Sequence, residues 1–441
     1  LPSKHPSRSC HRSRGKTLGV PELIAIALGG MVGGGIFSIL GISVALVGVY
    51  TPLVIAIGGV LAGLAAYSYI KLGVFFRDEG GAYSFFKRSF PASPFAASLI
   101  GWWVIFGYIS TLALYAYTFS SYAISGFGFA DDEPVRKLVA GGIILVFTLI
   151  NLWSVRGMGR IEDLMVYTKL VILAIVSFVL IDNGEASLPT LLEGQAPVGL
   201  LAVLIVAALT IVAYEGFELV INAIEEMDTP ERNIPRAIYA AIVLATLIYL
   251  VIGVGAILAI PFDELIANKE YALAAGAEGI LGDWGTELVI IGALLATSSA
   301  ISGTVFGASR QMAAIADDGF MPSLLARRSG HIPVAAIVCM SSMAFGLILI
   351  GNLEMILEFG SITFLLVSLL MAWANLRMRD RTGASAPLIW LALVGLLLGT
   401  VLILYYEWTN EPRQLIFIMG LYLALTVSAR LFSSDRRSHR R

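Results

Sequence analysis

Three groups of residues in this chain are of types and spacings that could do chemistry, and each lies inside an apolar run. The first is Gly29-Gly30-Met31-Val32-Gly33-Gly34-Gly35-Ile36-Phe37, with five glycines in the seven residues from Gly29 to Gly35. Each interior Gly costs a helix roughly 1 kcal/mol relative to Ala. Close packing through small residues needs glycines on one face only, whereas Gly33, Gly34 and Gly35 are consecutive and point all round. The run therefore predicts an unwound segment. The second group is Val212-Ala213-Tyr214-Glu215-Gly216-Phe217-Glu218, which interrupts an apolar run beginning near Val198. Ionisable groups at membrane depth point first to function, and a water-facing kink with purely structural acids is the alternative. The third is Lys169, the only basic residue deep in an apolar stretch.

Unwound backbone is tolerated at membrane depth only where it lines a cavity or binds a ligand. Amide N–H groups at the start of a half-helix attract an anion such as a carboxylate, and carbonyls at the end of the preceding half-helix attract a cation such as an ammonium. A zwitterionic amino acid carries both charges about one residue apart. A charged Lys at a helix centre costs at least about 3 kcal/mol on insertion scales, so Lys169 could load and release a proton during transport. The alternative is snorkelling toward the interface, because Lys169 follows Arg160 closely.

The elements that must position these groups are membrane helices. Only 14% of the 441 residues are charged and 58% are hydrophobic, against roughly 25% charged in soluble domains, and mean hydropathy is +0.85. A bilayer core needs about 20 mostly apolar residues per helix. Spans are expected near 20–46, 52–76, 94–124, 136–154, 162–182, 198–225, 236–260, 286–314, 332–351, 355–377, 386–406 and 412–433. With twelve spans, every Lys and Arg except Arg136, Lys137, Lys169, Lys269 and Arg413 falls in the tails or in loops of one side. The positive-inside rule then places both termini in the cytoplasm of a multi-pass plasma membrane protein. The first span is too long for a signal-peptide core and is read as retained.

Other function classes find little support. His5, His11, His331 and His439 lie in tails or a loop, and Cys10 and Cys339 are isolated, so neither a metal site nor another cofactor nor an enzyme is expected. No basic face suggests nucleic acid, and a continuous channel fits interrupted helices less well than alternating access around an occluded site. Trp102, Trp103, Tyr108, Tyr115 and Tyr117 could line a pocket or serve only packing, and the basic tail Arg436–Arg441 suits contact with membrane lipid. The oligomeric state stays open.

These residues resemble the amino acid–polyamine–organocation (APC) family of permeases nearly end to end. The resemblance is carried by Gly33-Gly34-Gly35-Ile36-Phe37, Glu79-Gly80-Gly81-Ala82-Tyr83, Ala213-Tyr214-Glu215-Gly216-Phe217-Glu218, the stretch from Glu225 through Thr229-Pro230-Glu231-Arg232-Asn233-Ile234-Pro235 to Ile238, and Arg310 with Asp318-Gly319-Phe320-Met321-Pro322. It implies an all-α LeuT-type fold of about twelve helices, with the first and sixth unwound. Two inverted five-helix repeats would occupy 18–182 and 198–378 and two accessory helices 386–433, between basic tails at 1–17 and 434–441. It further implies that the amides of Gly33, Gly34 and Gly35 hold a substrate α-carboxylate, and that the carbonyls of Met31, Val212, Ala213 and Glu215 hold the α-ammonium. Tyr214 and Glu218 would serve gating or structural support. Glu215 departs from an apolar residue in many relatives, and could select polar or cationic substrates or face a water pocket. Lys169 matches a lysine of proton-coupled members, whose ammonium takes the place of a sodium ion. Its expected partners are carbonyls around Gly29 and hydroxyls among Ser298, Ser299 and Ser302. The implied activity is proton-coupled symport of an amino acid, with amino acid/amino acid or amino acid/amine exchange as the alternative.

Overall fold

The computed structural model describes residues 18–438 except 79, 154–157, 185–190, 192–196, 225–226, 228, 269–270 and 330–331, and the side chains of 158–163, 278–281 and 434–438 are also left aside. The basic tails, Glu79, Arg156, Glu225, Glu226, Asp228, Lys269 and His331 therefore lie outside the residues described in full. The described chain is all helical: α1 (Val20–Met31), α2 (Gly34–Val47), α3 (Thr51–Phe76), α4 (Gly81–Ser89), α5 (Pro94–Ile124), α6 (Glu133–Trp153), α7 (Met158–Asp182), α8 (Leu200–Leu209), α9 (Leu219–Asn222), α10 (Pro230–Ala259), α11 (Phe262–Ala267), α12 (Ala272–Asp317), α13 (Val334–Ile350), α14 (Leu353–Thr382), α15 (Ala386–Asn410) and α16 (Pro412–Ser438).

Local chemistry sets many of these boundaries. The Glu22 carboxylate accepts from the Gly19 amide at 3.0 Å and caps α1. Ser93 and Asn352 cap α5 and α14 through the Ala96 and Met355 amides, and Gly383, at φ 61°, ends α14 in the left-handed region. Two helices begin well before their apolar runs. α10 starts at Pro230 rather than near residue 236 because a polar Glu231-Arg232-Asn233 turn is helical outside the apolar zone. α12 starts at Ala272 and bends at Gly282, at φ 65°, before the apolar stretch. The amphipathic α4 and short α11 were not expected as elements.

Among the described residues ten helical stretches are long and apolar enough to cross a membrane, Gly34–Phe76 (α2 with α3) being one of them, with α1 and α13 shorter. Trp153 is 90% exposed, and Leu388, Trp390 and Leu391 on α15 and Ile416 and Leu423 on α16 face outward. In water such a belt would be an association surface; in a bilayer it meets acyl chains.

Packing repeats between the two halves. α1 packs on α10 as α8 packs on α3, α7 packs on α12 as α14 packs on α5, and α7 packs on α10 as α14 packs on α3. The pairs α3–α10, α5–α12 and α6–α13 join each helix to its counterpart. The helix contacts are thus consistent with an inverted repeat. α15 rests on α14, α8 and α3, and α16 on α5 and α15.

Candidate functional site

The first interruption is two residues long. α1 stops at Met31, Val32 adopts φ −80° and ψ 68°, Gly33 adopts φ −115° and ψ −142°, and α2 starts at Gly34. Gly34 and Gly35 therefore belong to the first turn of α2 rather than to an unwound stretch, because two residues suffice to redirect the chain. Their amides still lack intrahelical acceptors, as first-turn amides do. The consecutive glycines also answer to packing on several sides. An added Cβ would lie 2.7 Å from the Ala300 Cβ at Gly33, 3.0 Å from the Tyr115 ring at Gly34, and 2.8 Å from the Ala213 Cα at Gly35.

The second interruption is longer. α8 ends at Leu209, a 3-10 turn runs Thr210–Tyr214, Glu215 is extended at φ −63° and ψ 133°, and Gly216 takes φ 125° before α9 begins. A Cβ on Gly216 would stand 2.6 Å from the Gly30 carbonyl carbon and 2.7 Å from the Met31 amide nitrogen. The last turn of α1 thus crosses the second interruption backbone against backbone at Gly30 and Gly216, with φ and space both demanding glycine at 216 and space alone at 30.

Side chains bind this crossing together. Lys169, fully buried, donates to the Gly29 carbonyl at 3.0 Å, the Val32 carbonyl at 2.6 Å and Ser299 Oγ at 2.8 Å. Lys169 does not snorkel. Of the three expected serines, Ser299 reaches it, Ser302 Oγ is buried with no hydrogen-bond partner, and Ser298 is half-buried. The Tyr249 hydroxyl lies 2.6 Å from the Met31 carbonyl and 2.9 Å from the Ala213 carbonyl, tying the two breaks to α10. Tyr115 donates to the Gly30 carbonyl at 3.2 Å. Met31 also accepts from the Gly33 amide at 2.8 Å, and Val212 from the Glu215 amide at 3.1 Å. Tyr214 points away, donating to the Ile55 carbonyl at 2.8 Å.

The acids line adjacent cavities. Glu215, 7% exposed, accepts from Thr111 Oγ1 at 2.7 Å, and Glu218 accepts from the Gly216 amide at 3.0 Å. Two cavities of about 20 and 30 Å³ share Tyr108, Glu215, Glu218, Asn222 and Gln311. Each has room for a water or two rather than an amino acid. Gly30 and Gly216 line the first, whereas the peptide groups of Met31, Gly33, Gly34, Gly35, Val212 and Ala213 are packed beside these cavities rather than lining them. Of the aromatics on α5, Tyr108 and Tyr115 line the first cavity, while Trp102 donates to the Phe320 carbonyl, Trp103 packs on Tyr422, and Tyr117 donates to Glu133.

A model of the amino acid permease family matches residues 18–425. The chain belongs to the amino acid permease family. As a permease it is a multi-pass membrane transporter rather than an enzyme. An uncharacterised protein of Methanocaldococcus jannaschii is 28% identical over 94% of this chain and 94% of its own length. The inner membrane transport protein YbaT of Escherichia coli is 32% identical over 94% of this chain and 96% of its own. The rabbit (Oryctolagus cuniculus) large neutral amino acids transporter small subunit 2 is 31% identical over 74% of this chain and 63% of its own.

Several contacts of this permease escape sequence reasoning. Tyr83 and Lys87 on α4 both donate to Asp318, at 2.7 and 2.5 Å, and Gln311 donates to the Gly80 carbonyl at 3.3 Å. Two separate stretches of the resemblance thus meet, although they lie more than 200 residues apart. Thr111, Asn222, Tyr249 and Gln311 carry no local signal, since one polar residue in an apolar helix reads as packing.

Proposed function

We propose that this permease carries amino acids across the plasma membrane by proton symport and alternating access, with both termini cytoplasmic. In this reading the fold is of LeuT type, with twelve crossings, repeats at 18–182 and 198–378, and accessory helices at 386–433. The observation that carries the proton assignment is Lys169, whose ammonium bridges α1, the first break and α12 through Gly29, Val32 and Ser299. An ammonium has three donors and a neutral amine only two. Proton release therefore frees one acceptor at the crossing and loosens α7 and α12 from α1.

The substrate carboxylate is assigned to the amides of Gly33, Gly34 and Gly35, supported by the first-turn amides of Gly34 and Gly35 in α2; the Gly33 amide must first leave the Met31 carbonyl. The ammonium is assigned to the carbonyls of Met31, Val212, Ala213 and Glu215. Each carbonyl oxygen accepts two hydrogen bonds, so Ala213 and Val212 can each share with a present donor, whereas Met31, which already accepts from Tyr249 and from the Gly33 amide, must lose one. Opening toward the small cavities beside Glu215 then makes room for the substrate. Ser302, buried and unpaired one turn beyond Ser299, is a further hydroxyl for the coupling site.

The experiment is labelled uptake into proteoliposomes, preceded by thermal-shift screening of the purified protein against the common amino acids. A stabilising amino acid should enter saturably and faster with an inward proton gradient. Uptake of that amino acid with no response to the gradient would leave exchange as the better reading, and no uptake of any amino acid would end the proposal.

A further inference from the structure

A second pair of buried acids lies at the far end of the bundle, beside the α13–α14 and α15–α16 turns, and takes no part in the crossing site. Glu358, near the start of α14, is 5% exposed and Glu407, near the end of α15, is 0% exposed. Both carboxyl oxygens of Glu407 and Oε2 of Glu358 are buried and accept no hydrogen bond. Among the described residues the titratable groups facing the pair are Glu354 on α14, Tyr406 on α15 and Glu411 in the following turn, with no Lys, Arg or His among them. Glu358 lines a cavity of about 160 Å³ with Glu354 and Tyr406, closed on its other side by Ile42, Ala45 and Leu46 of α2 and Leu209 of α8.

Two ionised carboxylates cannot bond to each other, and burying both without a cation costs several kcal/mol per ion. A single proton changes this, because it turns one carboxyl into a donor to the other and removes one of the two charges. We propose that Glu358 and Glu407 form a proton-binding site, separate from Lys169, in which one proton shared by the two carboxyls clasps α15 to α14. The clasp adjoins α2 and α8, the half-helices on the far side of both breaks. Loss of the proton drives Glu407 from Glu358 and lets the cavity open between α14, α15 and these half-helices. In the proposed orientation this end faces outward, so the site reads external pH. Only that last step rests on the transport reading.

The test uses the full-length protein in lipid nanodiscs without substrate. Its infrared carboxyl C=O band and its thermal midpoint are followed from acid to alkaline pH in wild type, Glu358→Gln and Glu407→Gln. In the wild type a protonated-carboxyl band should disappear as pH rises, with a parallel fall in midpoint. Each variant should lack that part of the band's titration and show a flatter midpoint, because the Gln amide donates to the remaining carboxyl at every pH. A band that titrates alike in all three proteins overturns the proposal. If neither variant yields monodisperse protein, a wild-type midpoint that does not fall with rising pH overturns it. Neither readout needs flux, so a failure here is distinct from a failure to take up amino acids.

Discussion

Lys169 illustrates how one side chain can hold a crossing of two broken helices. Its three acceptors belong to α1, to the break itself and to α12. Removing the side chain leaves the Gly29 and Val32 carbonyls buried without this donor, at about 1–3 kcal/mol each, while Ser299 keeps its bond to the Ala296 carbonyl. Lys169→Ala should therefore lower the thermal midpoint and abolish the stimulation of uptake by an inward proton gradient, while downhill exchange of labelled substrate persists. An unchanged gradient response in that variant would remove Lys169 from the coupling. Glu215 calls for a different measurement, because its carboxylate faces the cavities while its carbonyl is the group proposed for the ammonium. Glu215→Gln keeps the carbonyl and the Thr111 contact, so it should retain transport and shift preference away from cationic substrates. A cationic-to-neutral uptake ratio equal to that of wild type would assign Glu215 a structural role.

At the scale of elements, the decisive feature is the crossing of the last turn of α1 and the second interruption at Gly30 and Gly216. Gly216 combines a φ of 125° with a backbone neighbour that a Cβ would approach to 2.6 Å, and neither problem is relieved by side-chain movement. Gly216→Ala should cost about 1–3 kcal/mol from backbone strain alone, plus the clash, and should show a lower thermal midpoint with uptake nearly lost. Gly63→Ala is the matched control: it sits in α3 with nothing within 4 Å of the added methyl, and helix propensity favours the change by about 1 kcal/mol. Equal behaviour of the two variants would remove the close approach as an explanation of the glycine at 216.

For the molecule as a whole, the paired packing of the two halves and the outward apolar belt are consistent with an inverted-repeat fold in a multi-pass membrane transporter. Its orientation is open to direct measurement. In a Cys10→Ser, Cys339→Ser background, Ser385→Cys and Thr409→Cys place single thiols at opposite ends of α15. A membrane-impermeant maleimide applied to intact cells should label Thr409→Cys and spare Ser385→Cys. The reverse pattern would invert the topology and turn the Glu358–Glu407 end toward the cytoplasm.

The sequence by itself determined the class of molecule, the positions of the interruptions and the buried lysine. These follow from local physics: apolar runs of bilayer length, clustered glycines that a helix disfavours, and charges whose burial demands a partner. It placed α5, α13 and α16 within a few residues but started α10 and α12 late, because polar helical turns outside the apolar zone leave no hydropathy signal. Only the tertiary structure decided that Gly34 and Gly35 are already helical, that Val32 supplies an acceptor for Lys169, and that the one Tyr249 hydroxyl sits within hydrogen-bond reach of both the Met31 and the Ala213 carbonyl. It alone brought Glu358 to Glu407, two acids that look like ordinary helix-end residues when read one at a time. Each of these depends on which distant helices meet, and that is fixed by packing across the whole bundle rather than by any local stretch of chain.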